Sequence, residues 1–140
     1  MAFTGNFTCN TFKTGLMNGT FNFTSGSFYL ALYTNSASLN EDTTAYTATG
    51  EASGGNYVAG GNLLTIAQVP TVGNGDTAFI SFDNTSWTGA ITARGALIYL
   101  SGGGNPAVCV LDFGADKTST ATFTVQFPSI TSTSAIIRIT

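Results

Sequence analysis

The sequence predicts an all-β domain: an antiparallel sandwich, jelly roll or barrel of about 7–9 strands, with a short N-terminal helix or arm. Three observations carry that expectation. The segment Ala121–Phe127 alternates apolar and polar residues without a break, which places Phe123, Val125 and Phe127 on one face and Thr122, Thr124 and Gln126 on the other. Apolar runs recur along the chain between clusters of turn residues such as Gly54-Gly55-Asn56, Gly73-Asn74-Gly75-Asp76 and Gly102-Gly103-Gly104-Asn105-Pro106. Charged residues are only 8% of the chain, against roughly 25% in ordinary soluble proteins, so water-facing positions fall to Thr, Ser, Asn and Gly. Of these, β-branched Thr suits the solvent side of a pleated strand.

Taken in order, the chain opens with a Phe-rich stretch, residues 1–27, containing Phe3, Phe7, Phe12, Phe21 and Phe23 between small polar residues. These side chains either tuck under the sheet or form an arm laid on a neighbour. On the second reading Phe3, Phe7 and Phe12 are interface residues, and removing residues 1–10 is expected to weaken association while leaving the fold intact. Within the stretch, Thr8–Asn18 carries Phe12, Leu16 and Met17 at helical spacing, with Thr8 or Asn10 as the cap and Gly19 as the stop. Strands are expected at Phe28–Tyr33, Asn62–Val69 (ended by Pro70) and Ala78–Asp83. Ala96–Leu100 and Ala107–Phe113 are nearly continuous apolar runs, the pattern of central strands covered on both faces, and the Gly-rich turn between them makes a hairpin. Ala121–Phe127 and Ala135–Ile139 complete the set. At 140 residues, with 43% hydrophobic residues and no linker or repeat, residues 1–140 read as a single β domain.

Charge restricts the partners. The net charge is −3, and the cations are Lys13, Arg94, Lys117 and Arg138, too scattered for a basic patch that would grip nucleic acid. No apolar run approaches the roughly 18 residues of a membrane span, so no membrane partner is expected. The start of the chain lacks the basic and apolar regions of a signal peptide, which points to synthesis in a cytoplasm. A disulfide between Cys9 and Cys109 is disfavoured there, and Cys109 sits in an apolar strand where a thiol acts as a small hydrophobe. Arg94 begins an apolar strand and therefore needs a partner, either an acid such as Asp83 or Asp112 or a second protein.

Chemistry is sparse. Without histidine the chain has no Ser-His-Asp or Cys-His constellation and lacks the usual zinc ligands. Lys13 and Lys117 lie in no Ser–Lys motif, and the acids Glu41, Asp42, Glu51, Asp76, Asp83, Asp112 and Asp116 fall mainly in turns and at strand ends. Glu41-Asp42 and Asp76 lack the spacing of a calcium loop. Asp112-Phe113-Gly114 and Gly102-Gly103-Gly104 imitate kinase and phosphate-loop motifs without the accompanying residues. No catalytic residue, metal or cofactor is therefore expected. Sugar stacking is the remaining binding chemistry, with Trp87 and Tyr57 as the glycan-contact candidates.

A series of segments resembles a known family. It runs through Phe28-Tyr29-Leu30-Ala31-Leu32-Tyr33-Thr34, Ser36-Ala37-Ser38-Leu39-Asn40, Thr43-Thr44-Ala45-Tyr46, Thr49-Gly50-Glu51 and Tyr57-Val58-Ala59-Gly60-Gly61. It continues through Ala93-Arg94-Gly95-Ala96-Leu97-Ile98-Tyr99 and Asn105-Pro106-Ala107 to Leu111-Asp112-Phe113-Gly114. Together these resemble the small β-rich virion structural proteins of tailed bacteriophages, over most of the chain from about Phe12 to Ile139. The resemblance implies a non-enzymatic virion component made in a bacterial host. The first expectation is a capsid decoration (cement) protein on the capsid surface, a homotrimer or homodimer bridging major capsid protein subunits. The alternatives are a tail or fibre component and a carbohydrate-binding β-sandwich module.

Overall fold

The hairpin expected from Ala96 to Phe113 forms the centre of the molecule. In the computed structural model, which describes residues 3–140, it consists of β7 (Thr92–Leu100) and β8 (Ala107–Thr118). Leu97 stands opposite Val110 and Ile98 opposite Cys109. On the other side of β7, β2 (Phe28–Tyr33) pairs along its whole length, from Phe28 opposite Leu100 to Tyr33 opposite Gly95. Two short strands, β1 (Phe7–Thr8) and β3 (Asn62–Leu63), complete an antiparallel sheet in the order β1-β8-β7-β2-β3.

Two smaller antiparallel sheets lie outside it. One contains β4 (Ile66–Val72), β5 (Ala78–Phe82) and β10 (Ile137–Ile139) in the order β10-β5-β4; the other pairs β6 (Thr85–Thr88) with β9 (Thr122–Val125). The fold is all-β with one short helix, and the described strands form three separate antiparallel sheets.

Side-chain alternation divides the core. Phe28, Leu30, Leu32, Ala96, Ile98 and Val108 share one cluster with Ile80 and Phe82 of β5, Trp87 of β6, and Phe123 and Val125 of β9. From the same strands Ala31, Tyr33, Leu97, Tyr99, Ala107 and Val110 enter a second cluster with Phe3, Cys9, Ala37 and Leu39. Period-two geometry assigns these sets to opposite faces of the central sheet, with the phase of β8 reset at Val108, the extra residue between the Ile98–Cys109 and Tyr99–Ala107 registers. Both faces of β2, β7 and β8 are covered, as their continuous apolar runs require.

The Phe-rich stretch packs on the chain's own core, which corrects the reading of it as an arm. Phe3, Phe12, Phe21 and Phe23 are buried, and Phe7 is half-buried against the second cluster. Met1 and Ala2, the first residues of the stretch, lie outside the described residues. Removing residues 1–10 would strip β1 from β8 and take Phe3 and Cys9 out of the core, so truncation there attacks the fold itself.

The helix α1 (Asn10–Asn18) is present, with Gly19 in the left-handed conformation closing it at φ 81°. Cys9 occupies the cap position and makes no side-chain cap bond, in place of the expected Thr8 or Asn10. Phe12 is buried edge-on to Phe21 and Phe23, at ring separations of 5.0 and 5.8 Å. Met17, expected on the same buried stripe, is 83% exposed. Pro70 lies within β4 rather than ending it, which an edge strand tolerates because one row of its N–H groups is unpaired. Cys9 and Cys109 are free thiols; Thr8, not Cys9, stands opposite Cys109, and the two thiols fall in different core clusters.

Gly61, at φ +80°, brings its backbone against β2, where a Cβ would collide with the carbonyl oxygen of Leu30. Gly75 has a similar φ of +75° but faces open space. Gly61→Ala is expected to lose about 2–4 kcal/mol in urea denaturation, conformational strain plus collision. Gly75→Ala, which incurs only the left-handed penalty, should lose about 1–2 kcal/mol.

Candidate functional site

The densest polar constellation is built around Glu51. An isolated backbone bridge sets Glu51 beside Tyr33 at the end of β2. Its Oε1 accepts the Tyr46 hydroxyl at 2.7 Å; its Oε2 accepts the Tyr57 hydroxyl at 2.5 Å and the Gly60 N–H at 2.7 Å. The Tyr57 oxygen accepts the Leu32 N–H at 2.9 Å, and Tyr99 donates to the Gly60 carbonyl at 2.7 Å. Tyr33 donates to the Thr47 carbonyl at 2.6 Å. Tyr99 is stacked between Tyr29 and Tyr46, at 5.8 and 4.9 Å.

Burial, and then the Glu51 carboxylate, push the Tyr46 and Tyr57 hydroxyls above their ordinary value of 10.0, and the same causes raise Tyr99 to about 12. Near neutrality these hydroxyls are held as donors. The carboxylate has three donors on its two oxygens. Chemically this is a clasp: it fixes the residues 46–60 segment onto β2 and β7.

The glycan-contact candidates belong to that interior. Trp87 is 2% exposed and tilted on Tyr57 at 5.5 Å, and its indole N–H is buried without a partner. Tyr57 is half-buried and its hydroxyl is already engaged twice. The buried Trp87 ring offers no free face of the kind sugar stacking demands, which corrects that candidate. The aromatic count that suggested a platform could not separate a surface Trp from a core one.

Of the interface candidates, Phe3 and Phe12 are each 2% exposed and Phe7 is half-buried, so the Phe side chains serve the chain itself. Arg94 Nε meets Asp112 Oδ1 at 3.1 Å, the intramolecular pairing expected as one of two choices. Asp112 Oδ1 also accepts the Gly114 N–H at 2.8 Å, and the Asp112 N–H donates to Asn6. The pair sits where β8 bulges, between the Ala93–Lys117 and Gly95–Asp112 registers. Among the described residues no group of three or more Cys, Asp or Glu is placed to hold a metal ion.

The surface adds features the sequence did not single out. An apolar groove of about 280 Å³ lies between α1 and the β10-β5-β4 sheet, lined by Phe12, Leu16, Pro70, Phe79 and Ile139 among others. Of its lining residues Leu16 is 36% exposed and Ile139 55%; Met17, Val69 and Val72 are exposed but do not line it. A cleft of about 490 Å³ runs along the other side of β10, and a groove of about 430 Å³ opens between the end of β8 and β9, over Phe113 and Phe123. The helical spacing of Phe12 and Leu16 is the sequence signal for the first groove, which both residues line.

Comparison with protein-family models, curated proteins and solved structures finds no match to the chain.

Arg94→Ala is expected to lower stability by about 1–2 kcal/mol, between the values of exposed and buried pairs, because Asp112 keeps only its loop N–H donor. Chemical denaturation measures it. A second expectation concerns alkali. Burial raises Cys9 from 9.0 to about 11 and Cys109 from 9.0 to about 12, and it raises Tyr33, Tyr46, Tyr57 and Tyr99 above 10.0. The folded chain thus retains protons that the unfolded chain releases. Stability is unaffected below the unfolded values and falls as pH rises through about 9–11. Melting temperatures across that window should drop steadily, and Glu51→Gln, which removes a negative charge facing the tyrosines, should make the tyrosine part of the slope shallower.

Proposed function

We propose that this chain is a structural protein of a tailed-bacteriophage virion, a capsid decoration protein that bridges and stabilises major capsid subunits from the outer surface. The observation that supports it is the apolar groove between α1 and the small sheet. Exposed Leu16 and Ile139 line it, on a chain with only 8% charged residues. Exposed apolar surface of this kind is a contact surface in search of a partner. A scarcity of Lys and Glu lowers the side-chain entropy lost on docking. Cover of the main sheet by two smaller sheets suits a sandwich-like domain that works by buried contact.

On this reading the partners are further copies of the chain, as a dimer or trimer, and the major capsid protein. Binding only the assembled shell would stabilise it by linkage, and the repeat of the lattice would multiply a modest affinity per site. A role in the tail or fibre uses the same surface and differs in where the protein sits.

Immunogold microscopy of virions from a phage encoding this chain should show label over the whole head. Label confined to the tail would replace decoration with the tail role. Ile139→Asp should cut capsid occupancy by on the order of tenfold or more, since buried charge opposes docking, while melting stays within about 1 °C of wild type. Unchanged occupancy would remove the groove from the proposal.

A further inference from the structure

The cleft beside β10 adjoins the apolar groove, sharing Phe12, Leu16, Ile137 and Ile139 with it, and differs in the charge it adds. One wall is the run of residues 136–140; the rest is Thr8, Val108 and Cys109 at the margin of the central sheet, with Phe12, Lys13 and Leu16 of α1. A wall made of consecutive strand residues is a strand's edge, because a face presents only every second residue. β5 takes the other edge of β10 and contributes nothing to this cleft. The edge of β10 that faces it is therefore unpaired, and the short β1 is likewise the outermost strand of its sheet. The cleft separates two sheet margins.

Its charge is one-sided. Lys13 and Arg138, two of the chain's four cations, line it, and no Asp or Glu side chain does. Among the described residues neither cation is in an ion pair; Lys13 Nζ meets only the neutral Asn10 oxygen, at 3.3 Å. Glu41 and Asp42 meet the start of α1 at Asn10, which is not part of the cleft lining; there Asp42 accepts the Asn10 amide at 2.9 Å. Thr140 also lines the cleft, and a free carboxylate there would still leave one positive charge in excess.

We propose that this cleft is a strand-addition site that takes an extended, acidic polypeptide segment of a partner protein, paired to the free edge of β10 and held by Lys13 and Arg138. Main-chain hydrogen bonds to the edge supply affinity without regard to sequence; the two cations supply the selection for carboxylates. Ile137 and Ile139 give alternate side chains of the added strand an apolar surface. The inference is independent of the virion reading, since the cleft selects a strand chemistry whatever particle or protein carries it.

The test uses the full chain and two labelled seven-residue peptides, one alternating valine with glutamate and one alternating valine with lysine. Fluorescence anisotropy should show the glutamate peptide binding on the order of tenfold or more tighter than the lysine peptide. In amide NMR spectra its addition should shift Thr8, Ile137, Arg138 and Ile139. Lys13→Glu combined with Arg138→Glu, both at exposed positions, should reverse the preference between the peptides while leaving the melting temperature unchanged. Equal binding of the two peptides, or shifts confined to the groove over Phe113 and Phe123, would overturn the proposal. So would binding of neither peptide up to about 1 mM, which would make the cations guards of an unpaired edge.

Discussion

Burial of both faces of β2, β7 and β8 is the constraint on which the rest of the structure depends. Leu30, Leu32, Ala96, Ile98 and Val108 need an apolar layer on one side; Ala31, Tyr33, Leu97 and Val110 need another on the opposite side. The chain divides the work of covering them. One face receives regular structure, β5, β6 and β9, together with Phe12, Phe21 and Phe23, which pack against Phe28 of β2 through Phe23. The other receives mostly irregular chain, the N-terminal residues around Phe3 and Cys9 and the loop that brings in Ala37 and Leu39. The Phe-rich start of the chain is thus explained by an internal need.

Irregular cover brings a difficulty that strands avoid: its backbone groups must find partners outside a ladder. Glu51 and the tyrosines solve it locally. The Gly60 N–H is bound by Glu51, the Gly60 carbonyl by Tyr99, the Thr47 carbonyl by Tyr33 and the Leu32 N–H by Tyr57. Each tyrosine also brings a ring to the apolar interior, so one residue type fills volume and satisfies backbone at once. Gly61 completes the arrangement, because only a residue without a Cβ passes so close to Leu30. The unpartnered indole N–H of Trp87 and hydroxyl of Ser81 are exceptions to this economy.

These two layers differ in how legible they are in the sequence. Strands with a clean period or a continuous apolar run were readable: Phe28–Tyr33 has the expected bounds, and the β7–β8 hairpin lies where the Gly-rich turn indicated. Shorter strands were not. β1 and β3 have two residues each, too few for any period, and β6 is Thr-Ser-Trp-Thr with a single apolar residue. β8 runs on to Thr118 through polar residues because pairing with Thr92 and Ala93, not hydrophobicity, extends it. Phe3, Phe12 and Trp87 show the main ambiguity of site residues: an aromatic in a polar context reads the same whether it faces a partner or the core. Arg94 was more legible, since a cation entering an apolar strand needs an anion and Asp112 lies across the hairpin. Glu51 gave no signal as a single acid; its role exists only once the fold gathers the tyrosines around it.

The scarcity of charge sharpens what the remaining charges mean. Exposed sheet edges are usually blunted by charge, proline or bulges. β4 follows that rule, with Pro70 and register shifts along its pairing with β5. β10 has neither proline nor bulge, and its only charge is Arg138. A guard against indiscriminate pairing would serve with either sign, but Arg138 and Lys13 bring the same sign to one cleft that no Asp or Glu lines. Two like charges held together repel unless an opposite charge joins them, and that asymmetry turns a protected edge into a selective one. The same sparse surface that favours contact elsewhere on the molecule lets two cations dominate here, because few neighbouring charges compete with them.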